Sequence, residues 1–201
     1  MFLVLLLYSS DPVLYDDSIR YLTGSPKDLP LYSAVIQIMQ KIFNSLNSFI
    51  ILQTIFLASG IIFFTNTVSD KFNLSLSIKI LIAFFLFLPT IKFYNTLLTE
   101  PLSNAFSLLF VSFIIKLIYD FRVQNLIWSA IFLIALLMIR KQFIILYPVT
   151  LIVFFGIFYI YRSKKSLLYL IITSLFILII HNSLLILNKS IKKNFSEKEK
   201  I

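Results

Sequence analysis

Polar and apolar positions in this 201-residue chain separate into long blocks rather than alternating. Windows of about 19 residues place apolar runs at 49–66, 78–94, 102–118, 126–139, 143–161 and 167–187. Such runs, lacking period-two alternation, predict membrane-crossing helices and not barrel strands, because a segment in lipid must satisfy its own backbone N–H and C=O groups. The opening stretch Met1–Leu7 is apolar but too short to cross, and no basic flank precedes it as in a secretory signal. It reads as the stub of a first helix or as a turn dipping into the interface. The expected fold class is therefore all-α: a polytopic transmembrane helix bundle of about six spans plus an N-terminal stub. One domain, 1–201, is expected, made of a loop at 8–48, the bundle at 49–187 and a basic tail at 188–201.

The runs 126–139 and 143–161 are separated only by Arg140, Lys141 and Gln142, so they form either a tight hairpin or one long broken helix. The hairpin is the favoured expectation, with Tyr147 and Pro148 disturbing the start of the second helix. The long polar segment 8–48 is patterned as well. Asp16–Leu22 predicts a short amphipathic helix with Ile19 and Leu22 on one side, Asp17 and Arg20 toward water, and Gly24 as its stop. Pro26 and Pro30 force an extended or turning path, after which Leu31–Phe43 resumes a helical pattern suited to the membrane surface. This mixture of aromatic, apolar and acidic residues predicts a structured loop beside the bilayer.

Composition agrees: 59% of residues are hydrophobic and 13% charged, against roughly 25% charged in soluble domains. The chain is read as an integral membrane protein. Its 22 Phe are spread through every apolar run, as lipid-facing and helix-packing residues would be. The net charge of +9 gathers at span ends and in the tail, where topology and anionic lipid account for it and nucleic acid does not. The absence of cysteine excludes disulfides, thiolate metal sites and cysteine nucleophiles. The lone His181, beside Asn182 and Ser183, has no second histidine with which to build a metal site and reads as a polar contact between helices.

Placing the 8–48 loop outside puts Lys71, Lys79, Lys116, Arg122, Arg162, Lys164 and Lys165 inside, in agreement with the positive-inside rule. The lysine-rich tail, which would end outside, runs against it. This orientation gathers Asp16, Asp17, Glu100, Arg140 and Lys141 on the outer face, although they are far apart in the chain. The plainer reading of Arg140 and Lys141 is as snorkelling anchors. That of Glu100, in LLTEPLS with Pro101 suited to a first helical turn, is a carboxylate favoured by the helix dipole.

The succession Asp17-Ser18-x-x-Tyr21, Pro30-Leu31-Tyr32, Thr99-Glu100-Pro101-Leu102, then an apolar span ending in Arg140 with Tyr147-Pro148 soon after, resembles the GT-C superfamily of polytopic glycosyltransferases. The likeness is to bacterial members related to protein mannosyltransferases and to aminoarabinose or lipid A sugar transferases, and it covers roughly residues 1–160. The resemblance implies sugar transfer at the outer leaflet of the plasma membrane from a polyprenyl-phosphate donor to a lipid, glycan or protein of the cell envelope. It implies that Asp17, with Asp16 as its neighbour, acts on the acceptor or on a divalent cation, that Glu100 is the second acidic position, and that Arg140, beside Lys141, lies near the donor phosphate. The first span is a stub and the chain stops at KSIKKNFSEKEKI, so a truncated form is expected.

The chemistry is reasonable for these residue types. Glycosyl transfer needs a base for the acceptor proton, which Asp17 or Glu100 would supply. It also needs positive charge at the departing phosphate, which the planar fork of Arg140 suits. Alternatively, Asp17 and Glu100 would hold Mg²⁺ or Mn²⁺, which favour oxygen ligands. Asp16, Tyr21 and Tyr32 are the candidate substrate-binding residues; the plainer reading of the tyrosines is as interfacial anchors. The competing class is a non-enzymatic membrane protein, such as a lipid-linked glycan flippase or a transporter component. That class predicts polar groups in the middle of the bundle, whereas here the acidic residues gather at the ends.

Overall fold

The computed structural model describes residues 12–23, 30–91, 96–162, 167–180 and 182–183, with the backbone alone at Pro30, Ile91 and Lys141. Met1–Leu7, Gly24, Pro26, the 163–166 connection, His181 and the tail lie outside the described residues. Two short helices come first, α1 (Asp16–Thr23) and α2 (Pro30–Phe43). Then follow α3 (Leu46–Phe72), α4 (Leu76–Ile91), α5 (Thr99–Tyr119) and α6 (Val123–Ile139). A 3₁₀ turn (Lys141–Ile145) leads into α7 (Leu146–Tyr161), and α8 spans Leu167–Ile180.

Among the described residues three helical segments are long and apolar enough to cross a membrane: Leu46–Phe72, Thr99–Tyr119 and Gln142–Tyr161. The apolar helices Leu76–Thr90, Val123–Ile139 and Leu167–Ile180 are shorter. The 27 residues of α3 extend about 40 Å at 1.5 Å per residue, more than the roughly 30 Å hydrocarbon layer needs. Its ends are polar and are set locally. Ser45 accepts a hydrogen bond from the Asn47 N–H through its hydroxyl, and Asn73 closes the helix in the left-handed conformation, φ 51°.

Helix α5 packs between α3 and α6. The α3–α5 contact is close because Gly60 lies against the Ala105 backbone: a Cβ on Gly60 would meet the Ala105 carbonyl oxygen at 2.9 Å. Small residues permit this approach where lipid gives no hydrophobic drive for helices to associate. Helices α6 and α7 run antiparallel. Leu126, near the start of α6, packs with Phe154 and Ile157, and Leu133, Leu136 and Leu137, near its end, pack with Leu146 and Tyr147. Pro148 falls in the first turn of α7, where a missing N–H costs no intrahelical bond. Pro89 lies inside a helix, near the end of α4.

Loop helices α1 and α2 close one end of the bundle. Tyr21, Tyr32 and Ile36 join Phe49, Ile50, Leu97, Leu102 and Ile139 in one buried cluster. At the opposite end the Tyr161 hydroxyl donates to the Ile118 carbonyl at 3.1 Å, and Phe121 packs on Tyr161.

Candidate functional site

The capped end of the bundle begins at an isolated parallel bridge between Val13 and Thr96. Each strand-like stub turns into a helix three residues later, α1 at Asp16 and α5 at Thr99. Both first turns are acidic, with Asp16 and Asp17 in one and Glu100 in the other, as the positive end of a helix dipole favours. Helix α1 is closed at its start when the Tyr15 N–H donates to the Ser18 hydroxyl at 3.0 Å, half of a capping box. Starting both helices from one bridge brings the two acidic turns to the same edge.

Glu100 and Arg140, distant in sequence, form an ion pair there, Oε1 to Nη1 at 3.2 Å. Arg140 reaches this position because α6 ends at Ile139 and Arg140 takes an extended conformation, φ −141° and ψ 128°, before the 3₁₀ turn begins. The side chains of Arg140 and Glu100 are 31% and 28% exposed. Glu100 Oε2 is buried with no hydrogen-bond partner among the described residues. A carboxylate that uses one oxygen in an ion pair and keeps the other dry retains an acceptor site for an incoming donor.

Below the pair lies a polar link that sequence reasoning missed. The fully buried Tyr32 hydroxyl is 2.6 Å from the Leu98 carbonyl and 2.8 Å from Gln53 Oε1, its single hydrogen lying between two acceptors. Gln53 Nε2 in turn donates to the Thr96 carbonyl at 3.3 Å. The residues just before Glu100 are thus tied to both α2 and α3. Burial first, then the neighbouring Tyr21 and Glu100, push the Tyr32 phenol far up, so it stays a neutral donor. The signal for Gln53 was present in the chain, as an amide inside an apolar run with backbone groups to satisfy.

The remaining expected residues are placed differently. Asp16 and Asp17 are exposed, and Asp17 pairs with Arg20 one turn on, Oδ1 to Nη1 at 3.2 Å. The rings of Tyr21 and Tyr32 are buried. They meet edge to face at 4.9 Å, and Tyr32 meets Phe49 at 5.3 Å, so both are core side chains that seat the loop on the bundle. Lys141 follows Arg140 as the first residue of the 3₁₀ turn, and its side chain lies outside what is described. No group of three or more His, Asp or Glu able to hold a metal is assembled among the described residues. The carboxylates expected to serve a cation, Asp17 and Glu100, are each engaged by an arginine.

Replacing Tyr32 with phenylalanine tests the polar link. Tyr32→Phe keeps the ring packing but leaves Gln53 Oε1 and the Leu98 carbonyl without their donor, a cost of about 1–2 kcal/mol. A lower midpoint of heat unfolding in detergent is expected; an unchanged midpoint would show the link to be energetically idle. Comparison with family models, with curated proteins and with solved structures finds no match for the chain.

Proposed function

We propose that this chain is a membrane glycosyltransferase that moves a sugar from a polyprenyl-phosphate donor to a cell-envelope acceptor. It works at the outer face of the plasma membrane, in a bundle of about six spans. The observation that supports this reading is the Glu100–Arg140 pair at 3.2 Å, with Glu100 Oε2 buried and unpartnered beside it.

In this reading the donor phosphate takes the guanidinium of Arg140, with Lys141 beside it. Phosphate accepts the planar fork as carboxylate does. The exchange releases Glu100 Oε1, and Glu100 then accepts the proton of the acceptor hydroxyl. The hydroxyl oxygen attacks the anomeric carbon as the bond from that carbon to the phosphate oxygen breaks. The polyprenyl phosphate leaves with the bonding pair, its charge met by Arg140, and the proton stays on Glu100 until it passes to water. Asp17 and Asp16, at the same edge, meet the acceptor. Tyr32, Tyr21 and Gln53 hold the backbone before Glu100 in register, a positioning role. Mg²⁺ or Mn²⁺ held by Asp17 and Glu100 would supply further positive charge. The Asp17–Arg20 pair competes with such an ion, and no step is routed through it.

The absence of cysteine allows the sidedness to be tested directly. Single variants Tyr15→Cys and Gln142→Cys, at exposed positions of the site end, are compared with Asn73→Cys and Arg162→Cys at exposed positions of the other end. In intact cells a membrane-impermeant thiol reagent is expected to label the first two, and the last two only after permeabilisation. Labelling of the opposite set would put Glu100 and Arg140 on the cytoplasmic side and overturn the outer-leaflet reading.

A further inference from the structure

The end of the bundle far from Glu100 holds a second set of charges. Lys71 lies in the last turn of α3 and Lys116 in the last turn of α5. A lysine at a span end ordinarily snorkels to the headgroups. Lys116 instead folds over aromatic rings, its Nζ 4.0 Å from the centroid of Phe63 and 5.6 Å from that of Phe113. Lys71 Nζ lies 5.2 Å from the ring centroid of Tyr119, which Phe72 meets edge to face. Asp70, exposed, directly precedes Lys71 in the last turn of α3. Among the described residues neither lysine has a carboxylate within ion-pair distance. With Asp120 already paired to Arg122 at 2.6 Å, Lys71, Lys116 and Asp70 leave net positive charge at this edge of the bundle, which suits an anionic partner at the membrane interface.

The rings beside Lys116 continue along the bundle. Phe113 stacks on Trp128 at 6.1 Å and on Phe132 at 5.8 Å, and Trp128 stacks on Phe132 at 5.9 Å. They make a flat apolar wall across α5 and α6, and Trp128 is 41% exposed on it. Positive charge at the head of an apolar wall is the complement of a phospholipid, with phosphate at one end and acyl chain along the other. We propose that Lys71 and Lys116 bind the phosphate of an anionic membrane phospholipid whose acyl chain lies along Phe113, Trp128 and Phe132. The site is independent of the glycosyltransferase reading.

Trp128 is the single tryptophan of the chain and stands in the site as its own reporter. The full chain is reconstituted in phosphatidylcholine vesicles containing increasing mole fractions of acyl-brominated phosphatidylglycerol or acyl-brominated phosphatidylcholine, and quenching of Trp128 is followed. Two lysines facing the uncompensated phosphate charge, each changing binding about five-fold, give an expected preference of about 25-fold for the anionic lipid over the choline-balanced one. Lys71→Gln alone should reduce this preference about five-fold, and Lys71→Gln with Lys116→Gln should abolish it while quenching by the zwitterionic lipid remains. Lys79→Gln with Arg162→Gln removes the same charge elsewhere and should leave the preference intact. Equal quenching by both lipids in the native chain would overturn the proposal. So would a preference that survives in the Lys71/Lys116 variant, or one lost in the Lys79/Arg162 control, which marks general attraction of a basic chain. Loss of the preference on adding inorganic phosphate at constant ionic strength would make the site a free-phosphate site and would overturn the lipid assignment.

Discussion

Glu100→Gln is expected to lower sugar transfer by about 10²- to 10⁴-fold, the usual contribution of a positioned general base, while the chain still folds. Glutamine keeps the shape and can still accept a hydrogen bond from Arg140, so the ends of α5 and α6 stay together. What is lost is the ability to take a proton. The assay is transfer from a radiolabelled polyprenyl-phosphate sugar in membrane vesicles, with expression and heat-unfolding midpoint measured in parallel. A kcat that falls with KM for the donor unchanged assigns Glu100 to the chemical step. Arg140→Gln should act mainly on the donor, raising its KM about 10- to 100-fold for the loss of a charge-assisted contact to phosphate. If Glu100→Gln transfers sugar at the native rate, the pair is a structural tie between α5 and α6 and the proposed chemistry falls.

Gly60→Val is expected to destabilise the bundle by about 3 kcal/mol, the upper end of overpacking effects. The atoms in the way are the carbonyl oxygen and Cα of Ala105, at 2.9 Å and 3.2 Å from where the new Cβ would stand. Backbone cannot turn aside as a side chain can, so α3 and α5 must separate, and that seam is continuous with the Tyr32–Gln53 link above it. Gly156→Val is the matched control: nothing lies within 4 Å of a Cβ built there, so its effect should stay within about 0.5 kcal/mol. Unfolding of each variant in mixed micelles by increasing SDS measures the difference. Equal midpoints for the two would show that the close α3–α5 approach contributes nothing to stability.

Much of the helical layout was legible along the chain, and the discrepancies have physical causes. The expected run 49–66 becomes Leu46–Phe72 because Ser45 and Asn73 cap the helix outside its apolar part, and hydropathy does not register polar residues that continue a helix into the interface. Of the six expected spans, three coincide among the described residues with segments long and apolar enough to cross, and the other three with the shorter apolar helices Leu76–Thr90, Val123–Ile139 and Leu167–Ile180. Windowed hydropathy measures apolar content, and crossing also requires length. The candidate site was legible in part. Glu100 and Arg140 could be placed on one face from topology alone, because alternate ends of successive helices share a side.

The sequence by itself determined that the chain is helical and built for lipid. It also set where most of the helices begin and end to within about a turn, the end of α3 at Phe72 being the exception, since apolar blocks, caps and prolines act locally. Only the tertiary structure decided which charges meet. Asp17 turns to its neighbour Arg20, Glu100 to the distant Arg140, and Lys116 to the rings of Phe63 and Phe113. It also decided that Tyr21 and Tyr32 are anchors of the loop, with Gln53 beneath them. Such pairings depend on helix rotation and on close backbone contacts such as Gly60 on Ala105, which fix side-chain partners to within an ångström and leave no mark on hydropathy.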